Sequence, residues 1–414
     1  MSSRGLRHSR VYRALRTAQV VGPALAAYRW LEWRDARRGA PDLAAWERVH
    51  ARTARGIAQL GEDLGGLSVK LCQVAGARAD VFPAVFIREL GRFHDRVTPR
   101  PFAELRASVE RDLGRPLEAC FDKVDEAPLA AASLAQVHRA RLRDGTPVVL
   151  KIQYPEAARL YAIDLGNVRR GAAAAARVLR VGLREPVEEI AHFVGLELDF
   201  ARELDSLGRV ARALAGAPGV RVPRAFPELC GAGVLVLEYL DGVPIHDLDR
   251  LRADGVDLAA LADRVAALYR HMLFEQGFFH GDPHPGNLLV LPNGDIGLLD
   301  FGLAKELPPG FGAALRTMFV AAALGDAPRA LEAARTAGFA PAPDAGETFV
   351  RALGIALGAK HDLSAIRELL DSRVLGTVPR DVALVIRALI LLNGLSERLV
   401  PGERRIARTL FTPA

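Results

Sequence analysis

The densest chemistry in the chain lies in His280-Gly281-Asp282-Pro283-His284-Pro285-Gly286-Asn287, followed thirteen residues later by Asp300-Phe301-Gly302. Moving a phosphoryl group requires a carboxylate that orients the attacking hydroxyl or water, and oxygen ligands that hold Mg2+ against nucleotide phosphates. Asp282 suits the first task, and Asn287 and Asp300 suit the second. His280 and His284 stand four apart, but Pro283 and Pro285 prevent the regular helix on which such a pair would face one zinc ion, and no third ligand is evident. His280 is expected to hydrogen-bond within its loop.

Lysine usage supplies a second signal. The sequence holds five lysines (Lys70, Lys123, Lys151, Lys305, Lys360) beside fifty arginines, so a retained lysine marks a place where a compact ammonium is wanted. Val148-Val149-Leu150-Lys151 matches the strand pattern in which a lysine grips the α and β phosphates of ATP, and the five-residue interval from Asp282 to Asn287 matches a kinase catalytic loop. On a predicted helix around Val187–Leu214, Asp199 and Glu203 share one face while Glu197 points away. Glu203 is therefore the expected partner of Lys151.

These groups must be positioned by three stretches. Residues 1–115 read as helical (Leu43–Leu64, Ser68–Ala79, Phe102–Leu113), broken at Gly65-Gly66, Pro83 and Thr98-Pro99. Residues 118–240 mix strands and helices. Val137–Leu142 and Pro147–Gln153 form a hairpin through Asp144-Gly145, a helix covers Leu165–Leu179, and a strand covers Gly233–Tyr239. Glu238 and Tyr239 at its end are candidate nucleotide-binding residues. Residues 242–414 are mostly helical, interrupted by the strand pair Leu288–Leu291 and Ile296–Leu299 around Asn293-Gly294, which places Asp300 opposite Asn287. Leu303–Pro309 then runs almost at once into a helix over Phe311–Ala323, leaving no room for a long activation segment on which a peptide substrate would dock.

Composition narrows the class. The chain has 414 residues, 50% apolar and 25% charged, and three separated cysteines that form no CxxC pair. This is a globular protein expected in a reducing cytoplasm. Its net charge of +6 is concentrated in residues 1–60, where twelve arginines face only Glu32, Asp35, Asp42 and Glu47. The basic balance therefore describes an arm and argues against nucleic-acid binding by the body. Arg4, Arg7, Arg10, Arg13 and Arg16 recur every third residue. They suggest a basic amphipathic helix, the candidate for peripheral contact with an anionic membrane at its inner face. The run Ala18–Tyr28 contains Gly22 and Pro23 and leads to charged residues, unlike a signal peptide. Val382–Leu392, with Arg387 inside it, is too short to span a bilayer and reads as a buried helix.

One local feature is unusual for a kinase. The segment before the lysine strand reads Leu129-Ala130-Ala131-Ala132-Ser133-Leu134-Ala135-Gln136, with alanine where a glycine-rich loop is expected. In this, together with Glu197-x-Asp199 and Lys70-Leu71-Cys72-Gln73, the sequence resembles the UbiB/AarF family of atypical kinase-like proteins, whose marks are an alanine-rich loop, an ExD motif and an N-terminal KxGQ motif. Flanking segments Leu64–Val69, Asp80–Pro83 and Phe93–Pro99 extend the likeness, and Cys72 departs from it by replacing glycine.

The resemblance implies an α+β, protein-kinase-like two-lobed fold with an N-terminal helical extension: an arm (1–60), the extension carrying the KxGQ-like motif (61–115), an N-lobe (116–240) and a helical C-lobe with the catalytic loop (241–414). It also implies ATP and Mg2+, with Asp282 and Lys151 in the catalytic set. Ala130, Ala131, Ala132, Ser133, Lys70, Gln73, Glu197 and Asp199 would act near the nucleotide. It would place Lys70 and Gln73 on an extension that crosses the pocket, while the scarcity of lysine and the helix face away from Glu203 make Glu197 the expected buried counter-charge for Lys70. The implied substrate is small or lipid-like, in isoprenoid-quinone or membrane-lipid metabolism. Two rivals remain: a small-molecule phosphotransferase of aminoglycoside or choline kinase type, which shares His-Gly-Asp-x-x-x-x-Asn, and a nucleotide-binding scaffold without turnover. Lys70-x-x-Gln73 and the alanine loop argue against the first, and the complete set of Asp282, Asn287, Asp300 and Lys151 argues against the second.

Overall fold

The computed structural model describes residues 8–77, 83–94, 99–179, 184–339, 347–350, 380–403 and 405–411. Arg4, Arg7, Asp80–Phe82, Asp95–Thr98 and Lys360 lie outside the described residues. The chain divides into two compact units: Met1–Phe200 with Pro227–Val236, and Ala201–Phe226 with Leu237–Ala414.

The first unit begins with α1 (Arg10–Arg38), whose N–H-capping Gly39 adopts φ 73 and closes on the carbonyl of Asp35. Next come α2 (Leu43–Leu64), started by the Asp42 side chain on the Ala45 N–H, then α3 (Leu67–Ala77), α4 (Ala84–Gly91) and α5 (Phe102–Leu113). α1 packs on α2 and on α6 (Ala157–Leu179). That packing takes up two of the arginines read as the basic face of an amphipathic helix. Arg13 is fully buried, donating through Nε to Asp164 at 2.5 Å and through Nη1 to the Leu64 carbonyl at 2.9 Å. Arg16 is paired with Asp63. A three-residue repeat drifts by about 60° per step around a helix, so consecutive members, here Arg13 and Arg16, can fall on the face turned to a neighbour.

A four-stranded sheet follows in the order β1-β2-β3-β5, from β1 (Phe121–Ala131), β2 (Ala135–Leu142), β3 (Pro147–Gln153) and β5 (Val234–Glu238). The β2–β3 turn is the expected one, with Gly145 at φ 89 and the Thr146 N–H on the Asp144 side chain at 2.9 Å. Val148, Leu150 and Ile152 alternate fully buried along β3. The long β1 was not legible in the sequence. Its register against β2 shifts three times, so no period-2 pattern survives along it.

The expected helix over Val187–Leu214 is two helices, α7 (Arg184–Glu197) and α8 (Phe200–Ala213), broken at Leu198-Asp199. The division between units falls just beyond this break, so α8 belongs to the second unit. That unit also contains the parallel pair β4 (Val220–Arg221) and β9 (Ile296–Leu298), with β6 (Val243–Pro244) and β8 (Leu288–Val290) completing its four-stranded sheet. β7 (Phe278–Phe279) pairs with β10 (Lys305–Glu306). Its longer helices among the described residues include α9 (Leu258–Arg270), α10 (Phe311–Ala323), α11 (Ala327–Thr336), α12 (Arg380–Leu399) and α13 (Arg405–Phe411). α12 buries Leu384, Val385, Ala388 and Leu392, the apolar run the sequence marked. Among the described residues, no helix is long and apolar enough to cross a membrane.

Candidate functional site

In the second unit the loop after β7 is fixed from behind by His280. Its Nε2 meets the Leu299 carbonyl at 2.8 Å and so must carry the proton, which leaves Nδ1 to accept from the Tyr269 hydroxyl at 3.3 Å. Phe301 stands edge-on to the same ring, 5.5 Å between centroids. The histidine therefore ties the loop of Asp282 and Asn287 to the end of the β8–β9 hairpin, a wider reach than the bond within the loop that the sequence suggested. Gly281 sits at φ 77, and a Cβ there would collide with the Leu303 carbonyl oxygen, so only glycine fits.

Asp282 and Asn287 meet directly. The Asn287 amide donates to Asp282 Oδ2 at 3.2 Å and to the Asp282 carbonyl at 3.3 Å. Its amide oxygen is thereby the atom left for a cation. The backbone of Asn287 accepts from the Leu299 N–H at 2.9 Å, setting Asp300 one residue beyond that tether. Asp300 has φ 59, the one positive value at a non-glycine among the described residues. That conformation costs about 1–3 kcal/mol. It is held by the Gly302 N–H on Asp300 Oδ1 at 3.2 Å, by buried Phe301, and by Arg202 on the Gly302 carbonyl at 2.5 Å. Asn287 and Asp300 offer hard oxygen donors, few enough to leave room for phosphate oxygens and water, which suits Mg2+ better than a dedicated protein cage would.

Arg387 was not singled out by sequence reasoning as a site residue. Its Nη2 donates to Asp282 Oδ1 at 3.1 Å from α12, 105 residues downstream. The sequence offered only an arginine interrupting an apolar run.

In the first unit Lys151 lies on β3 opposite Val137, with its Nζ 5.4 Å from the centroid of the Phe200 ring. Glu203 is almost wholly buried on α8 in the other unit. Ala130 and Ala131 belong to β1 itself, not to a loop; the β1–β2 turn is Ala132-Ser133-Leu134, closed by the Ala132 N–H on the Ala135 carbonyl at 2.8 Å. Behind that turn, Gln136 binds both the N–H and the carbonyl of Arg100 through its amide, and its Nε2 lies 2.7 Å from His138 Nε2.

Lys70 on α3 and Glu197 at the end of α7 form an ion pair at 2.5 Å. Their side chains are 25% and 30% exposed, so the ammonium is half-buried, unlike the buried charge expected from sequence. Gln73 donates to the Phe93 carbonyl at 2.8 Å, a tie inside the extension. Asp199, in the break between helices, is exposed. Cys72 packs mid-helix in a cluster with Ala54, Ala58, Phe86, Leu90 and Phe93, a conformation that needs no glycine. Burial pushes its thiol up to about 12. Room for its sulfur comes from Gly61 on α2, where a Cβ would lie 2.9 Å from Cys72 Sγ.

Glu238 accepts from Arg221 at 2.6 Å and from the Arg224 N–H at 2.9 Å, so its carboxylate is committed within the second unit. With Tyr239 it lines an open hollow of about 360 Å3 beside Asn293 and Asp295.

A family model described as the ABC1 atypical kinase-like domain matches residues 92–334. Similar proteins include the probable protein kinase UbiB of Sodalis glossinidius, 35% identical over 233 residues, covering 55% of this chain and 43% of that protein. The AarF domain-containing kinase 1 of Drosophila melanogaster is 34% identical over 300 residues, covering 71% of this chain and 58% of that one. The chain spans less than two thirds of the length of these relatives. Among solved structures, the Rv3197–erythromycin complex from Mycobacterium tuberculosis aligns over 90% of this chain and 100% of that one, with a TM-score of 0.54 at 21% identity. That likeness speaks to the kinase-like fold alone.

Proposed function

Because the chain belongs to the family of ABC1 atypical kinase-like domains, we propose that it binds Mg-ATP and uses it either to phosphorylate a small or lipid-like molecule or to drive hydrolysis, in isoprenoid-quinone or other membrane-lipid metabolism. The observation that carries this reading is the tether from Asn287 to Leu299, which holds the Asp282–Asn287 pair and Asp300 to one another through backbone. Asp282 accepts the proton of the attacking hydroxyl or water. Asn287 and Asp300 hold the magnesium ion, which when bound neutralises the charge of the phosphates. Lys151 supplies a phosphate-gripping ammonium, as the resemblance implies.

Ligand-dependent thermal stabilisation and ATP turnover test the assignment together. Asp300→Asn is expected to lose Mg-dependent stabilisation by ATP, whereas Asp282→Asn keeps it and loses turnover. An Asp300→Asn protein that is still stabilised by Mg-ATP contradicts the metal-ligand role. Turnover stimulated by a polar-lipid or quinone-precursor extract identifies the acceptor class.

A further inference from the structure

Burying Arg13 against Asp164 and Leu31 against its neighbours fixes which side of α1 faces outward. Four of the eight large apolar side chains that stand exposed among the described residues lie on that one helix: Val11 (67%), Leu15 (57%), Trp30 (55%) and Trp33 (51%). With Ala18, Gly22 and Ala26 between them, they occupy about a third of the circumference on a 100° wheel, over a length of about 33 Å. The charged residues exposed on the same helix are all arginine: Arg10, Arg29, Arg37 and Arg38. Its two acids, Glu32 and Asp35, are half-buried and engaged by Arg29 and Arg34. Arg34 and Arg37 stack on the Trp30 and Trp33 rings, at 5.1 and 4.1 Å from their centroids.

We propose that this outer face of α1 is a docking surface for an anionic lipid bilayer, on which the helix lies in the plane of the interface. The rings and Leu15 enter the headgroup boundary while the flanking arginines meet lipid phosphates. Tryptophan beside arginine is suited to that boundary, where one edge of the ring is apolar and the surroundings are wet and negative. The helix is not apolar enough to span. Charge also decides against a second copy of the chain as occupant, since two such faces would oppose arginine to arginine. The surface is separate from the residues assigned to phosphoryl transfer, so its test does not depend on turnover.

The full chain is floated with phosphatidylcholine vesicles, with and without phosphatidylglycerol, and tryptophan emission is followed with brominated lipids. Binding to the anionic vesicles, weakened by salt as the screening length shortens, and bromolipid quenching are expected. The variant Trp30→Ala/Trp33→Ala loses roughly tenfold or more in partitioning and most of the quenching. Arg29→Glu/Arg37→Glu loses at least about tenfold on anionic vesicles alone, roughly fivefold per arginine. Both sites are exposed, so unchanged far-ultraviolet dichroism checks the fold. Binding retained by both variants overturns the proposal, as does a solution dimer that Trp30→Ala/Trp33→Ala dissociates.

Discussion

Removing either partner of the Lys70–Glu197 pair should loosen α3 by a predictable amount. At 4 Å two unit charges attract by about 1 kcal/mol in water and about 4 at an effective dielectric of 20. These side chains, a quarter to a third exposed and 2.5 Å apart, sit between those limits. Ordering the lysine costs up to about 2 kcal/mol, and solvent screens the remainder. A net of about 1–1.5 kcal/mol is left, close to tenfold in an equilibrium constant. Global unfolding is the wrong readout for a two-unit chain. Local opening of α3, read by amide hydrogen exchange, isolates the effect. Lys70→Ala and Glu197→Ala should each accelerate exchange along α3 by about tenfold, and the double variant should match the singles. Unchanged protection in Lys70→Ala, or a double variant whose acceleration is the product of the two, refutes the argument.

Arg387→Gln frees Asp282 Oδ1 from a guanidinium, so ATP turnover should rise about two- to fivefold with Mg-ATP affinity unaltered; a fall, or the same change in an Asp282→Asn background, counts against the pairing as a brake on the carboxylate. The His138 imidazole is pushed below its ordinary 6.5 by burial, so the unfolded chain binds its proton first and the stability of the sheet should decline as pH falls below about 6.5. Amide hydrogen exchange along β2 from pH 7.5 to 5, corrected for the intrinsic rate, should show a shallower loss of protection in His138→Gln, and parallel slopes refute the assignment. Peptide libraries should accept no phosphate, because only Leu303–Gly310 separates Gly302 from α10; transfer that Asp282→Asn abolishes overturns that expectation.

The β8–β9 and β2–β3 hairpins were legible because turn chemistry is local: Asn293-Gly294 and Asp144-Gly145 dictate their turns whatever surrounds them. The pairing of Lys70 with Glu197 was also within reach, because a chain that writes arginine almost everywhere advertises its lysines. What escaped was set by distance along the chain. Arg387 finds Asp282 only after α12 docks, and Arg13 becomes an interior residue only once Asp164 meets it. β1 hid for another reason, since bulges erase the alternation by which a strand is recognised. The break at Leu198-Asp199 lies where helical propensity alone predicts continuity, so Asp199 and Glu203 do not share one uninterrupted helix as the spacing suggested.

The meeting of Cys72 with Gly61 couples two positions eleven residues apart through inheritance as well as packing. A thiol fits at 72 because position 61 contributes no side chain, and a methyl at 61 would need the sulfur withdrawn. A lineage that restores glycine at 72 removes the nearest atom facing 61 and leaves the Phe93 ring, 3.1 Å from such a Cβ, to shift by a few tenths of an ångström, whereas the reverse order of mutation passes through a more overpacked intermediate. The two sites should therefore drift as a pair, with the path through 61 closed until 72 has changed.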